Sequence, residues 1–258
     1  MTARSSTASI PCVLSTRFEG DRNARVFPSG MADHFESADC WQGLGMYAYP
    51  LSLSRTDTEA LNGFQRRVSM VLKRLKERTR PQHEALESSV NIGGRCATIE
   101  GYRGLIKRFY GFYSPAEAAL VPLLGGEEGL DLDDRRKTPL LRRDLRALGL
   151  SDVEIDALPL CCDLPPVPGR PEALGCMYVM EGATLGGQYV RKSVAHELPE
   201  AAEALAFFSS YGDRVGSMWK AFGEALTARS DSPDAEDRIV NSAAATFDSF
   251  ERWFAAAP

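Results

Sequence analysis

From Gln65 to Phe254 the apolar residues of this 258-residue chain recur at intervals of three and four, and no stretch alternates apolar with polar. That period lays apolar side chains along one face of an α-helix, whereas a strand with one buried face needs a period of two. The chain is therefore restricted to an all-α fold, a bundle of roughly seven or eight helices without internal repeats.

Glycine, proline and capping residues divide the pattern into elements. Val68, Val71, Leu72 and Leu75 begin it. Thr79 and Gln82 have the spacing of a capping box, and Pro81 then falls in a first helical turn, where its missing N–H is tolerated. This predicts one helix ending near Arg78 and a second, or a kinked continuation, carrying His83, Leu86 and Val90. A helix is expected from Thr98 to Leu124, burying Ile99, Tyr102, Leu105, Ile106, Phe109, Phe112 and Tyr113, bending at Pro115 and ending at Gly125-Gly126. Lys137 to Leu148 forms another, stopped by Gly149, and Ser151-Asp152-x-x-Ile155 opens a short turn. Asp163 to Arg170 holds three prolines and a glycine and is a loop. A long helix runs from Pro171 to about Glu197, and residues 199–228 and 234–255 make the last two. Residues 1–65 carry scattered Ser, Thr, Pro and Gly with no sustained period and are expected to be an irregular or disordered extension of a 66–258 domain. A start of translation near Met70 accounts for the same contrast.

A hydrophobic content of 44% is enough for one sizeable core. The formal net charge of −5 argues against general nucleic-acid binding. No apolar run approaches the roughly 20 residues that span a bilayer, and the N-terminus lacks the layout of a secretory signal, so a cytoplasmic location is expected. The six cysteines show no paired metal-ligand spacing.

Two segments carry chemistry. His83, one of only three histidines, follows a basic run; Lys76 is seven residues before it and Arg80 three, so both share its side of a continuous helix. A neutral imidazole is a good axial ligand for haem iron, and nearby cations suit a porphyrin's propionates. A histidine beside a basic run is also the ordinary pattern of a solvated helix face. About a hundred residues on, Glu181-Gly182-Ala183-Thr184-Leu185-Gly186-Gly187-Gln188 places three glycines in a helical context, each costing about 1 kcal/mol relative to alanine. Something must approach that backbone closely: a flat ligand against Gly182 and Gly186, or a neighbouring helix.

The run Leu75-Lys76-x-x-Thr79-x-x-x-His83 and the run Tyr178-Val179-Met180-Glu181-Gly182-Ala183-Thr184-Leu185-Gly186-Gly187-Gln188 together resemble the haem oxygenase family. Phe207-Phe208-Ser209-Ser210-Tyr211-Gly212 and Ala244-x-x-Phe247-x-x-Phe250 extend the likeness over roughly residues 70 to 255. The glycine segment is similar to the bacterial branch that supplies biliverdin to bacteriophytochromes. The resemblance implies a compact multi-helix haem-oxygenase-like bundle in which haem is substrate and cofactor. Oxygen and electrons from a separate reductase or ferredoxin would open it to biliverdin, carbon monoxide and iron, with a bacteriophytochrome as a candidate recipient. It further implies His83 as the iron ligand, Lys76 and Arg80 as propionate partners, and Gly182 and Gly186 against the haem face, leaving room for oxygen. Many members have an aspartate where Ala183 stands, so protons would come from water held by backbone groups, from Thr184 or from a tyrosine. Animal members have an arginine where Gly212 stands; Arg214 is a substitute, and Tyr211 a candidate pocket residue. A haem carrier or sensor that does not oxidise its ligand is the competing expectation, and a bundle that never binds haem the third.

Overall fold

The computed structural model describes residues 55–126 and 129–256, so the expectations for residues 1–54 lie outside the described part. Among the described residues there are helices and turns and no β-strand.

The first helix, α1, is continuous from Arg55 to Val90, with Pro81 inside it. It starts ten residues before Gln65 and does not break at Arg78, and the expected capping box is not formed. Instead the Thr79 hydroxyl donates to the Leu75 carbonyl at 2.8 Å, one turn back in the same helix. The reason is packing. Val68, Val71, Leu75, Thr79, Leu86 and Val90 form one buried stripe that passes straight through the proline, while Glu77, whose carbonyl loses its partner, and Pro81 itself face solvent.

After a short helix α2 (Ile92–Arg95), α3 spans Ile99–Leu124. Thr98 caps it by accepting from the Gly101 N–H at 3.1 Å. Of its expected core residues, Tyr102, Leu105, Ile106, Phe109, Phe112 and Tyr113 are buried, and Ile99 in the first turn is half-buried. The short α4 (Leu132–Arg135), then α5 (Thr138–Ala147) and α6 (Asp152–Asp156) follow. Gly149 takes a positive φ of 90° after α5, and Ser151 and Glu154 form a capping box at α6. Three long helices complete the bundle: α7 (Arg170–Glu197), α8 (Val215–Ala228) and α9 (Pro233–Ala255). Helix α9 lies between α1 and α7 and packs along both. On α7, Gly175 sits directly against the backbone of α9 at Ile239, a separation that any side chain would enlarge.

The stretch 199–228 is not one helix. A 3₁₀ turn at Pro199–Ala201, further turns and a second 3₁₀ turn at Gly212–Arg214 precede α8. Tyr211 and Gly212 both have positive φ, 66° and 53°, which no helix accommodates. The loop is held from outside. The buried Asp144 carboxylate of α5 accepts from the N–H groups of Ala206 and Phe207 at 2.7 and 2.8 Å. Phe207 and Phe208 then enter the aromatic core, with ring centroids 4.9 and 5.8 Å from Phe109. The apolar spacing through Leu205, Phe208 and Tyr211 therefore reflects a core-facing loop rather than a helical face.

Candidate functional site

His83 projects from α1 with its side chain 54% exposed and its ring edge-on to Phe247 of α9, centroids 5.5 Å apart. Its Nδ1 lies 3.6 Å from the Glu87 carboxylate one turn on, within ion-pair range but long for a hydrogen bond. Burial raises the Glu87 carboxyl above the ordinary range, against the opposing pull of His83.

Phe247 leads across to α7. Its ring stands edge-on to Tyr178 at 6.5 Å. Burial pushes the Tyr178 phenol up to about 12. Phe247 of α9 thus touches the rings of both His83 on α1 and Tyr178, which lies one helical turn before Gly182 on α7. At Gly182 no atom lies within 4 Å of where a Cβ would be. Gly187 is different, since a Cβ there would stand 2.9 Å from the Phe208 carbonyl oxygen. Gly182 thus faces open space, while Gly187 packs closely against the backbone of the loop before α8 rather than against a helix. Gly186 is half-buried between them.

The remaining expected residues scatter more widely. Lys76 and Arg80 are exposed on α1, and Arg80 pairs with Glu84 at 2.7 Å. Arg214 is exposed and faces Asp134 at 3.5 Å. Thr184 is buried, and its hydroxyl donates to the Glu181 carbonyl at 2.7 Å, within its own helix. Tyr211, in the loop rather than on a helix, turns its hydroxyl to the Glu181 carboxylate at 2.6 Å.

That contact belongs to a buried ionic cluster that sequence reasoning did not find. Glu181 accepts from Arg135 Nη1 at 2.6 Å, both side chains being 3% exposed. Lys137 Nζ donates to the Tyr211 hydroxyl at 2.6 Å, lies 3.9 Å from the Tyr211 ring centroid and sits 3.5 Å from Glu181 Oε1. Glu117 of α3 accepts from the backbone N–H groups of Lys137 and Thr138. Burial pulls the Lys137 ammonium below its usual range, opposed by Glu181 and Glu117, and raises the Tyr211 phenol above its own. Removing one member of such a cluster leaves a buried charge uncompensated, at a cost of about 3–5 kcal/mol. The run Asp133-Asp134-Arg135-Arg136-Lys137 reads in sequence as a solvated charged turn. The one available signal was Glu181, an acid on the face of α7 otherwise made of Met177, Tyr178 and Met180.

A half-exposed imidazole on one helix, a side-chain-free position on the next and two cations upstream on the imidazole's own helix suit a flat, anionic-edged ligand with a metal at its centre. A porphyrin fits this set, because Gly182 offers space that any other residue would fill. Among the described residues no group of three or more His, Cys, Asp or Glu side chains could hold a bare metal ion, and no helix is long and apolar enough to cross a membrane.

Comparison with known proteins gives a family. A family model described as heme oxygenase matches residues 156–256, which include all of α7 and α9. A curated protein from Xanthomonas campestris pv. campestris (strain 8004), named "Heme oxygenase", is 31% identical over 167 residues, covering 64% of this chain and 95% of the relative.

Proposed function

This chain belongs to the haem oxygenase family, and from that premise we propose that it degrades haem to biliverdin, carbon monoxide and iron, using oxygen and electrons from a separate reductase or ferredoxin. The observation that supports the reading most is Gly182, a helical position with open space where a side chain would stand, on a helix joined to His83 through Phe247, whose ring is edge-on to both His83 and Tyr178. His83 ligates the iron through its neutral imidazole, with Glu87, 3.6 Å from Nδ1, as the acceptor that the other ring nitrogen would need to draw closer. Lys76 and Arg80 meet the propionates at the rim, Arg80 exchanging Glu84 for a propionate. Gly182 and Gly186 lie against the opposite face, where the missing side chains leave room for oxygen and offer no hydrogen bond that would compete for it.

Proton supply departs from the common pattern. Ala183 carries no acid, and the Thr184 hydroxyl is turned to its own helix. Protons then come from water held by backbone groups of α7 or from a tyrosine. The same two residues favour the second reading, a haem carrier or sensor that leaves its ligand intact. A cytoplasmic location and a bacteriophytochrome as recipient of the product complete the proposal.

One experiment separates the readings. The protein is loaded with haem without oxygen, then given air and ascorbate, and the products are resolved by chromatography. Biliverdin supports the oxygenase, and intact haem after many equivalents of reductant supports the carrier. In the same assay His83→Ala is expected to shift the Soret band and abolish turnover; an unchanged band with unchanged turnover removes His83 from the mechanism.

A further inference from the structure

Tyr211 is an anomaly. Its backbone occupies the left-handed region at φ 66°, ψ −20°, which asparagine or glycine adopts readily and an aromatic residue does not. Such a conformation costs on the order of 1–3 kcal/mol and persists only where contacts over-determine it. The contacts here are specific. The hydroxyl donates to Glu181 and accepts from Lys137, each at 2.6 Å, and the Lys137 ammonium lies against the ring. Glu181 immediately precedes Gly182 and is held from its other oxygen by Arg135, whose Nη2 reaches on to the Met218 carbonyl of α8 at 3.1 Å. The Tyr113 hydroxyl fastens the preceding carbonyl, that of Met180, at 3.1 Å.

The same loop grips α7 a second time. Phe208, three residues before Tyr211, places its carbonyl against Gly187. Between the two grips lies the stretch Gly182–Gly186. Two of its five residues are glycine, and no neighbour fills the space above Gly182. A helix so poor in side chains has little rigidity of its own. We propose that Tyr211, acting through Glu181, is a positioning residue that sets where the glycine stretch of α7 lies, and with it the depth of the slot that receives the haem face.

The slot's ligand rests on the function proposed above; the clamp does not, and the test keeps them apart. Amide hydrogen exchange is measured on the full chain without haem, for wild type and Tyr211→Phe. Losing a hydrogen bond to a charged group is expected to speed exchange at residues 182–187 by at least about tenfold while the cores of α3 and α9 keep their protection. Should Tyr211→Phe fail to fold, Tyr211→Asn relieves the backbone strain, removes the same hydroxyl and is expected to loosen the same six residues. Unchanged exchange at 182–187, or an equal acceleration throughout the molecule, overturns the proposal. Haem affinity is then titrated by the Soret band. A fall of about tenfold alongside local loosening supports both the clamp and the haem slot. Local loosening with unchanged haem affinity upholds the clamp and counts against haem lying on that stretch.

Discussion

At the scale of single residues, the two glycines of α7 separate binding from folding. Gly182 faces open space, so a Cβ there meets no neighbouring element within 4 Å, and replacing glycine in a helix gains a few tenths of a kcal/mol. Gly182→Val is therefore expected to leave the melting temperature unchanged or slightly raised while haem titration shows greatly weakened binding. Normal haem affinity and normal biliverdin output in this variant would contradict the distal slot. Arg135 and Glu181 show the opposite balance, since neither touches the proposed ligand yet removing either strands a buried charge.

At the scale of elements, α1 shows tertiary packing overriding local chemistry. A proline in a helix interior loses a hydrogen bond and crowds the preceding turn, at about 3 kcal/mol. Even so, Leu75, Thr79, Leu86 and Val90 keep one stripe against the bundle across Pro81. Because Pro81 is exposed and its substitution disturbs no buried contact, Pro81→Ala is expected to raise the unfolding free energy by about 1–3 kcal/mol, read from urea denaturation at unchanged m-value. A loss of stability would mean that the proline shapes α1 in a way the bundle requires. The loop before α8 shows the reverse case, in which Asp144, Tyr211 and Gly212 replace a helix that spacing alone suggests.

At the scale of the whole molecule, Asp144 links that loop to pH. Burial pushes its carboxyl up to about 6, prevailing over the Ala206 and Phe207 N–H groups that favour the charged form. The unfolded value is near 4. Between roughly pH 4 and pH 6 the folded state thus holds a proton that the unfolded chain has lost, so this group's contribution is greatest at low pH and declines as the pH rises through that window. Other carboxylates act in the opposite sense, so the expected observable is a difference. Between pH 4.5 and 6.5 wild type should lose stability relative to Asp144→Asn, and parallel melting curves would show that the carboxyl stays ionised throughout. The same tie between α5 and the loop supports the proposed clamp on α7, joining the bundle's stability to the site.

Helical class, the extent of α3, the stops at Gly125 and Gly149 and the glycine-bearing α7 were legible in the sequence because each follows from interactions within a few residues: periodicity, caps and positive φ. His83 and Gly182 could be singled out by residue type, but the contacts of Phe247 with both His83 and Tyr178 arise only when α9 packs along α1 and α7. The break before α8 and the burial of Arg135, Lys137, Glu117 and Glu181 were decided by tertiary structure alone. A charged side chain enters a core only where partners from other elements replace its water, and those partners stand 20 to 74 positions apart along the chain, from Glu117–Lys137 to Lys137–Tyr211, beyond the reach of any local pattern.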